Sequence, residues 1–117
     1  DPSQLRPTYL TRLSVRSVGR VDSVAVADVR WIGAAGNYVE LHLADRMVLH
    51  RVTLSALEQR LDPAVFLRVH RSAIVRRAEC KSLTVTGDGT YALRLHSGAK
   101  VAVSEKYVAD VRAAMGG

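Results

Sequence analysis

Apolar and polar positions alternate along most of the chain, and this pattern predicts short β-strands. The clearest case is residues 38–43, where Val39, Leu41 and Leu43 alternate with polar neighbours, the period of a half-buried strand. Similar segments, separated by turns rich in Gly, Asp and Asn, recur from residue 9 to residue 103. Short strands joined by tight turns favour antiparallel pairing. The sequence therefore predicts a mainly β fold, with antiparallel sheets of seven to nine short strands.

Two segments depart from this alternation and have the spacing of helices. Leu54, Leu57 and Leu61 predict a helix over residues 53–61. Its N-terminal cap is either Thr53 or a capping box formed by Ser55 and Glu58. A second helix is predicted over residues 104–115, with Ser104 as its cap. In the C-terminal half, the predicted inward-facing positions are Leu83, Val85, Tyr91, Leu93, Leu95, Tyr107, Val108, Val111 and Met115.

The length of 117 residues suits one domain. Residues 1–10 contain two prolines and no periodicity, so we expect a linker or truncated N-terminal extension there and a single domain over residues 11–117. The chain does not begin with Met, which suggests an excised C-terminal domain with a missing N-terminal regulatory domain. Its apolar runs are too short to cross a membrane, and no apolar signal segment opens the chain. We therefore expect a cytoplasmic protein.

Composition makes the surface basic and the core aliphatic. Hydrophobic residues make up 48% of the chain but aromatic residues only 5%. Lys and Arg number 17 against 11 Asp and Glu, giving a net charge of +6, and 14 of those 17 cations are Arg. Arg binds phosphate and the guanine edge in a bidentate way, so this balance suits nucleic acid, an anionic membrane or an acidic partner. The alternative is that the charges are spread only for solubility.

The usual signatures of catalysis and cofactor binding are missing from the sequence. The four histidines show no helical pairing, no serine lies in a nucleophile elbow, and residues 33–36 lack the Lys-Ser/Thr of a phosphate loop. The lone Cys80 excludes an internal disulfide and a cysteine-rich zinc site, and it is interpreted as a small buried hydrophobe rather than a reactive thiol. We predict no enzyme, no catalytic residue, no cofactor and no metal.

Residues 66–77 form the most unusual stretch, which we call the basic block. It carries four arginines and one histidine in twelve residues, interleaved with Phe66, Leu67, Val69, Ile74 and Val75. A solvated charge run would not need these apolar side chains, and a core strand would not carry so many guanidinium groups. The block is therefore predicted to be anchored in the core and to present Arg and His to an anion.

Three polar positions break the local rules and are candidate contacts. Asn37 is either a simple turn residue or an exposed amide that pairs with adenine. Arg71, beside His70, is either a surface ion pair or a contact to the anion, and nearby acids are scarce. Lys106 lies in the first turn of the predicted last helix, where a cation opposes the helix dipole. It is either a solvated lysine or part of a site for phosphate or a base edge.

Three landmarks in this order resemble the LytTR-type DNA-binding domain, the output domain of many bacterial response regulators. They are Ala35-Gly36-Asn37-Tyr38-Val39, the segment from Phe66 to Val75, and the segment from Gly98 to Ser104. The resemblance covers about Leu13 to Met115. It implies a β fold whose loops enter the major groove of double-stranded DNA at imperfect direct repeats, one domain per repeat, with bending of the DNA.

The resemblance also implies where contacts to bases and phosphates come from. In this family they come from three places, which here are Asn37, His70 with Arg71, and Ser104 with Lys106. Our own hypothesis divides the roles: Asn37, Arg71 and Lys106 reach base edges, and phosphates are contacted by Arg68, Arg76, Arg77 and the start of the last helix. The family usually has Asn where Arg76 stands, so Arg76 and Arg77 either add phosphate contacts or are simply solvated. The full set of predicted DNA-binding residues is Asn37, Tyr38, Arg68, His70, Arg71, Ser72, Arg76, Arg77, Ser104 and Lys106.

One competing hypothesis belongs to another class of protein. A basic β module for protein interaction or recruitment to an anionic membrane would bind polyanions without sequence preference. RNA binding is disfavoured because solvent-facing aromatic residues for base stacking are scarce. Direct-repeat binding does not require a symmetric dimer, so the oligomeric state stays open.

Overall fold

The computed structural model describes residues 8–116, and within them the chain forms ten strands and two short α-helices. The helices are α1 (Leu54–Arg60) and α2 (Val108–Ala114). The strands are β1 (Arg12–Ser17), β2 (Arg20–Ala25), β3 (Trp31–Ala35), β4 (Tyr38–His42), β5 (Met47–His50), β6 (Phe66–His70), β7 (Ala73–Arg76), β8 (Cys80–Val85), β9 (Tyr91–Leu95) and β10 (Lys100–Val103). The mainly β fold is confirmed, with one strand more than the predicted upper number. Most of the predicted N-terminal linker lies outside the described residues.

All strand pairs are antiparallel, as the short turns predict, and they form three sheets. The central sheet has the order β5-β4-β3-β7-β6, a second sheet has the order β10-β9-β8, and β1 pairs with β2. Strands β3 and β7, which come from different parts of the chain, lie next to each other inside the central sheet and pair with each other. Residues far apart in sequence therefore lie side by side in the middle of this sheet.

The central sheet is covered on both faces, which divides the hydrophobic core in two. One cluster joins Ile32 and Ile74 of the sheet to α1 and to the β1-β2 hairpin. The other joins Val69 and Val75 to the three-stranded sheet and α2. The alternation of side chains along each strand explains how neighbouring residues of β7 reach opposite layers. The predicted anchoring of the basic block is confirmed, because all five of its interleaved apolar side chains are buried.

The helix ends differ in part from prediction. Thr53 is the cap of α1, because its hydroxyl oxygen accepts a hydrogen bond from the Ala56 amide at 3.1 Å. Ser55 lies inside the helix instead of capping it. The prediction that Ser104 caps the last helix is wrong: a 3-10 turn (Glu105–Tyr107) comes before α2, and the Ser104 side chain makes no capping bond.

Two predicted core positions are exposed. Val85 is 59% exposed, because it ends β8 at the tip of a hairpin whose residues 84–90 are all exposed. Met115 is 38% exposed, because α2 ends one residue earlier and Ala114 packs against the core in its place. The remaining predicted positions in this half of the chain are buried or half-buried.

Candidate nucleic-acid interface

Two turns project from the same end of the central sheet. One turn, Gly36-Asn37, joins β3 to β4, and the other, Arg71-Ser72, joins β6 to β7. They are neighbours because Gly33 of β3 pairs with Ala73 of β7, and the next amide, that of Ala34, donates to the Ser72 carbonyl at 2.8 Å. The centres of the two turns are two strand spacings apart, or about 10 Å. Two of the predicted contact regions are thus brought together.

The third predicted region reaches the same end through a single backbone bond. The Ser104 amide donates to the Val69 carbonyl at 2.8 Å, one residue before His70. This bond places the 3-10 turn that carries Lys106 beside the end of β6. Lys106 is exposed, and its ammonium lies 4.9 Å from the centre of the Tyr107 ring, within the range of a cation–π contact. We call these three segments together, residues 36–38, 70–72 and 104–106, the contact edge.

Asn37 is displayed on the contact edge without a structural task of its own. Gly36, with φ of +62°, supplies the left-handed conformation that a two-residue hairpin turn needs. Asn37 lies in the same turn without a positive φ. Within residues 8–116 its exposed side chain makes no hydrogen bond. Tyr38, beside it, is 43% exposed.

Arg71 is likewise exposed, and no ion pair involves it in the part of the chain that the structure describes. Its neighbours hold the turn. The Nδ1 atom of His70 accepts the Ser72 amide at 3.1 Å and lies 2.7 Å from the Ser72 hydroxyl oxygen. A nitrogen that accepts an amide carries no proton, so the neutral ring holds its proton on Nε2. His70 therefore offers a donor to an incoming acceptor.

Arg68 differs from Arg71 because its guanidinium is used inside the fold. Its Nε donates to the His70 carbonyl and its Nη2 donates to the Arg71 carbonyl, both at 2.6 Å. Its Nη1 lies 2.5 Å from a carboxylate oxygen of Glu58 on α1. The side chain is only 11% exposed. The phosphate contact expected of Arg68 would have to compete with these three bonds.

Arg76 and Arg77 lie at the far end of β7, away from the contact edge. Arg76 donates to the Val29 carbonyl at 2.8 Å and the Val26 carbonyl at 2.6 Å, and it lies 4.8 Å over the Phe66 ring. Burial, followed by the nearby Arg30 guanidinium, lowers the pKa of Arg76. Arg77 donates from Nε to the Pro63 carbonyl at 2.9 Å. The alternative that Arg76 is simply solvated is wrong.

Arg51 is an exposed cation beside the contact edge that the sequence pattern did not single out. β5 ends at His50, which pairs with Val39, so the next residue, Arg51, lies level with Tyr38. The hairpin that β4 and β5 form returns the chain to the Asn37 turn. Burial lowers the pKa of His50, so this neighbour is uncharged at neutral pH. The three segments of the contact edge contain one acidic residue, Glu105.

Residues 8–116 contain no group of three or more His, Cys, Asp or Glu side chains placed to hold a metal ion. Burial raises the pKa of the half-buried Cys80 thiol, as expected of a packed cysteine. None of the helices in this span has the length and hydrophobicity to cross a bilayer.

Comparison with known families gives a match over most of the chain. The sequence profile of the LytTr DNA-binding domain matches residues 19–116. In structure, the chain is similar to the LytTr DNA-binding domain of a putative methyl-accepting/DNA response regulator from Bacillus cereus, with a TM-score of 0.77. That match covers 92% of this chain and 99% of the other at 22% identity, so it shows a shared fold.

Curated relatives are transcriptional and sensory proteins. The chain is 37% identical over 76 residues to the CO-responsive transcriptional regulator RcoM of Rhodospirillum rubrum, covering 65% of this chain and 32% of that protein. It is 29% identical over 85 residues to the transcriptional regulatory protein LytR of Staphylococcus aureus, covering 73% and 35%. The sensory transduction protein LytT of Enterococcus faecalis is 24% identical over 104 residues, covering 89% and 43%. The chain thus spans 32% to 43% of the length of these relatives.

Proposed function

Because the chain belongs to the LytTr DNA-binding domain family, we propose that it binds double-stranded DNA sequence-specifically as the output domain of a bacterial transcriptional response regulator. The curated relatives are regulators by name, which supports this role. In this proposal the three segments of the contact edge enter the major groove. The bound sites are imperfect direct repeats, with one domain on each repeat, and the protein acts in the cytoplasm.

The observation that carries the proposal is the convergence of three distant segments on one edge. The two turns are separated by about 10 Å, and the major groove is about 12 Å wide. The two turns are therefore spaced to lie within one groove. Neither helix of residues 8–116 suits recognition in their place, because each is seven residues long and buries two of its side chains in the core.

Within the contact edge, exposure and donor chemistry divide the roles. The free amide of Asn37 suits adenine, and the free guanidinium of Arg71 suits the O6 and N7 atoms of guanine. Lys106 supplies a third contact to a base edge. His70, Ser72 and Ser104 are half-buried and would position the protein on phosphates, as contacts of this kind do. Tyr38 ends the first segment of the contact edge, and Arg51 lies beside it.

Three arginines predicted as phosphate contacts have a different place in this proposal. Arg68, Arg76 and Arg77 donate to backbone carbonyls of the fold. Arg76 and Arg77 also lie at the opposite end of β7 from the contact edge. We infer that these side chains support the interface rather than form it.

The regulatory part of the full-length protein is also a proposal. The chain spans about a third of the RcoM and LytR relatives, which leaves room in such proteins for a sensory or receiver domain. We expect a domain of that kind to control this one.

The test begins with selection of duplexes by the wild-type domain from a random library. The proposal predicts recovery of a consensus, and tighter binding of that duplex than of a scrambled one at two salt concentrations. Equal, salt-sensitive binding to selected DNA, scrambled DNA and anionic vesicles would instead support the basic interaction module.

Arg71→Ala provides the residue-level test. Loss of a bidentate base contact is expected to cost about 1–3 kcal/mol of binding free energy and to relax specificity at one base pair. Competition binding against single-base variants of the selected duplex measures both effects. An Arg71→Ala domain that keeps full discrimination would exclude the role assigned to Arg71.

A further inference from the structure

We propose that Arg68 is a positioning residue: together with Glu58 of α1 it fixes the turn that presents Arg71, and it does not itself contact DNA. This inference rests on the proposed function. It replaces the phosphate contact expected of Arg68 with a task inside the protein.

The geometry of the guanidinium is the first support. Arg68 lies on β6 and folds back over the turn, where separate nitrogens reach the carbonyls of His70 and Arg71 at 2.6 Å each. A planar guanidinium that binds two successive carbonyls restrains the peptide units on both sides of the Arg71 α-carbon. The direction in which the Arg71 side chain leaves the backbone is therefore fixed.

The irregular backbone before the turn explains why the bonds from Arg68 are needed to hold it. The register of β6 and β7 shifts between Arg68 and His70, so the ladder is irregular just before the turn. A bulge of this kind disrupts pairing and re-aims the residues that follow it. From the other side, the Ser72 amide is bonded to the His70 ring. Side chains thus hold the turn where the regular ladder does not.

Glu58 connects the Arg68 side chain to the helix α1, which packs against the hydrophobic core. Its carboxylate meets Arg68 from α1, and α1 is capped by Thr53 and packed through Leu54 and Leu57. The Glu58 side chain is 45% exposed, and half-exposed ion pairs of this kind contribute little stability. The main effect expected from the pair is orientation, since recognition contacts require supporting side chains that lock their geometry.

Because Glu58 is negatively charged, removing its charge separates an electrostatic effect on DNA binding from a positioning effect. If electrostatics alone governed binding, Glu58→Gln would remove an acid near the DNA and strengthen binding to every duplex. If Glu58 holds Arg68 in place, the same change loosens the turn and lowers the preference for the selected duplex. The two accounts therefore predict different changes in discrimination for one conservative substitution.

The experiment compares wild type, Glu58→Gln, Arg68→Gln and the double variant. The control is Asp45→Asn, another exposed acid paired with an arginine but lying in the β4-β5 turn at the far end of the sheet. Binding is measured to the duplex selected by the wild-type domain and to a scrambled duplex, across salt. Amide spectra of each variant confirm folding.

The expected result is a fall in the selected-to-scrambled affinity ratio of about fivefold to tenfold for each single variant, within the range of one specific base contact. The double variant should be no worse than Arg68→Gln, because both changes break one unit. Amide shifts should change at residues 70–72 in Glu58→Gln. The control should keep the wild-type ratio.

Two results would overturn the inference. One is tighter binding of Glu58→Gln to both duplexes with an unchanged ratio. The other is a salt slope for Arg68→Gln that falls by about 0.9, the sign of a lost phosphate contact. Failure of the wild-type domain to select any sequence would count against the proposed function instead, so the two failures can be told apart.

Discussion

The two ends of β7 carry the same kind of side chain and use it in opposite ways. Arg71, just before the strand, is exposed and makes no ion pair with any residue that the structure describes. Arg76, at the other end of the strand, donates to two carbonyls and lies over the Phe66 ring. They are five residues apart in one basic block.

The difference lies in what surrounds each guanidinium. Near Arg76, a 3-10 turn (Val26–Asp28) leaves the Val26 and Val29 carbonyls facing a cation. Near Arg71, the local carbonyls are already bound by Arg68. An arginine whose neighbours supply acceptors stabilises the fold, and one without them remains available for a ligand.

The largest expected effect comes from Arg76→Ala. The change removes the donor of the Val29 carbonyl and one of the two donors of the Val26 carbonyl, which keeps its bond from the Val29 amide. It also removes a cation–π contact, so we expect a loss of about 2–3 kcal/mol in the free energy of unfolding. Urea denaturation measures this loss. Arg71→Ala is the matched control and should stay within about 0.5 kcal/mol of wild type, as surface substitutions do.

The same two variants can also contradict the difference in role between Arg71 and Arg76. If Arg71→Ala destabilised the domain as much as Arg76→Ala, the contact edge would be part of the structural framework. If Arg76→Ala left stability intact and reduced the salt slope of DNA binding, Arg76 would be a phosphate contact after all.

Local patterns predicted the framework of this protein well. Alternation located the strands, and the leucine spacing located α1, because both depend on residues a few positions apart. Val85 and Met115 were misplaced because their burial depends on where the covering layer ends. The structural role of Arg76 depends on carbonyls almost fifty residues earlier in the chain, and no local sequence pattern predicts such a contact.

The candidate site was predictable to a similar extent. Asn37, Arg71 and Lys106 broke local rules, and the structure brings their segments to one edge. That they share an edge follows from two non-local contacts, which are the pairing of β3 with β7 and the bond from the Ser104 amide to the Val69 carbonyl. Arg68 was assigned to phosphate because its acceptors, the carbonyls of a turn after a bulge, are not visible in the sequence.

A smaller effect concerns His50, at the contact-edge end of β5. Burial lowers its pKa below the unfolded value of about 6.5, so below that pH the unfolded chain binds more protons than the folded one. Stability should therefore decline as pH falls from about 6.5 toward the folded pKa. Thermal melts between neutral and mildly acidic pH test this, with His50→Gln as the comparison. The same decline in both proteins would show that His50 is not its source.

The most direct test of the central claim is an amide chemical-shift map of the isotope-labelled domain titrated with its selected duplex. We expect the largest shifts in residues 36–38, 70–72 and 104–106, with small changes at residues 44–46 and 76–79 at the other end of the sheet. Largest shifts at residues 76–79, with the contact edge unchanged, would contradict that claim.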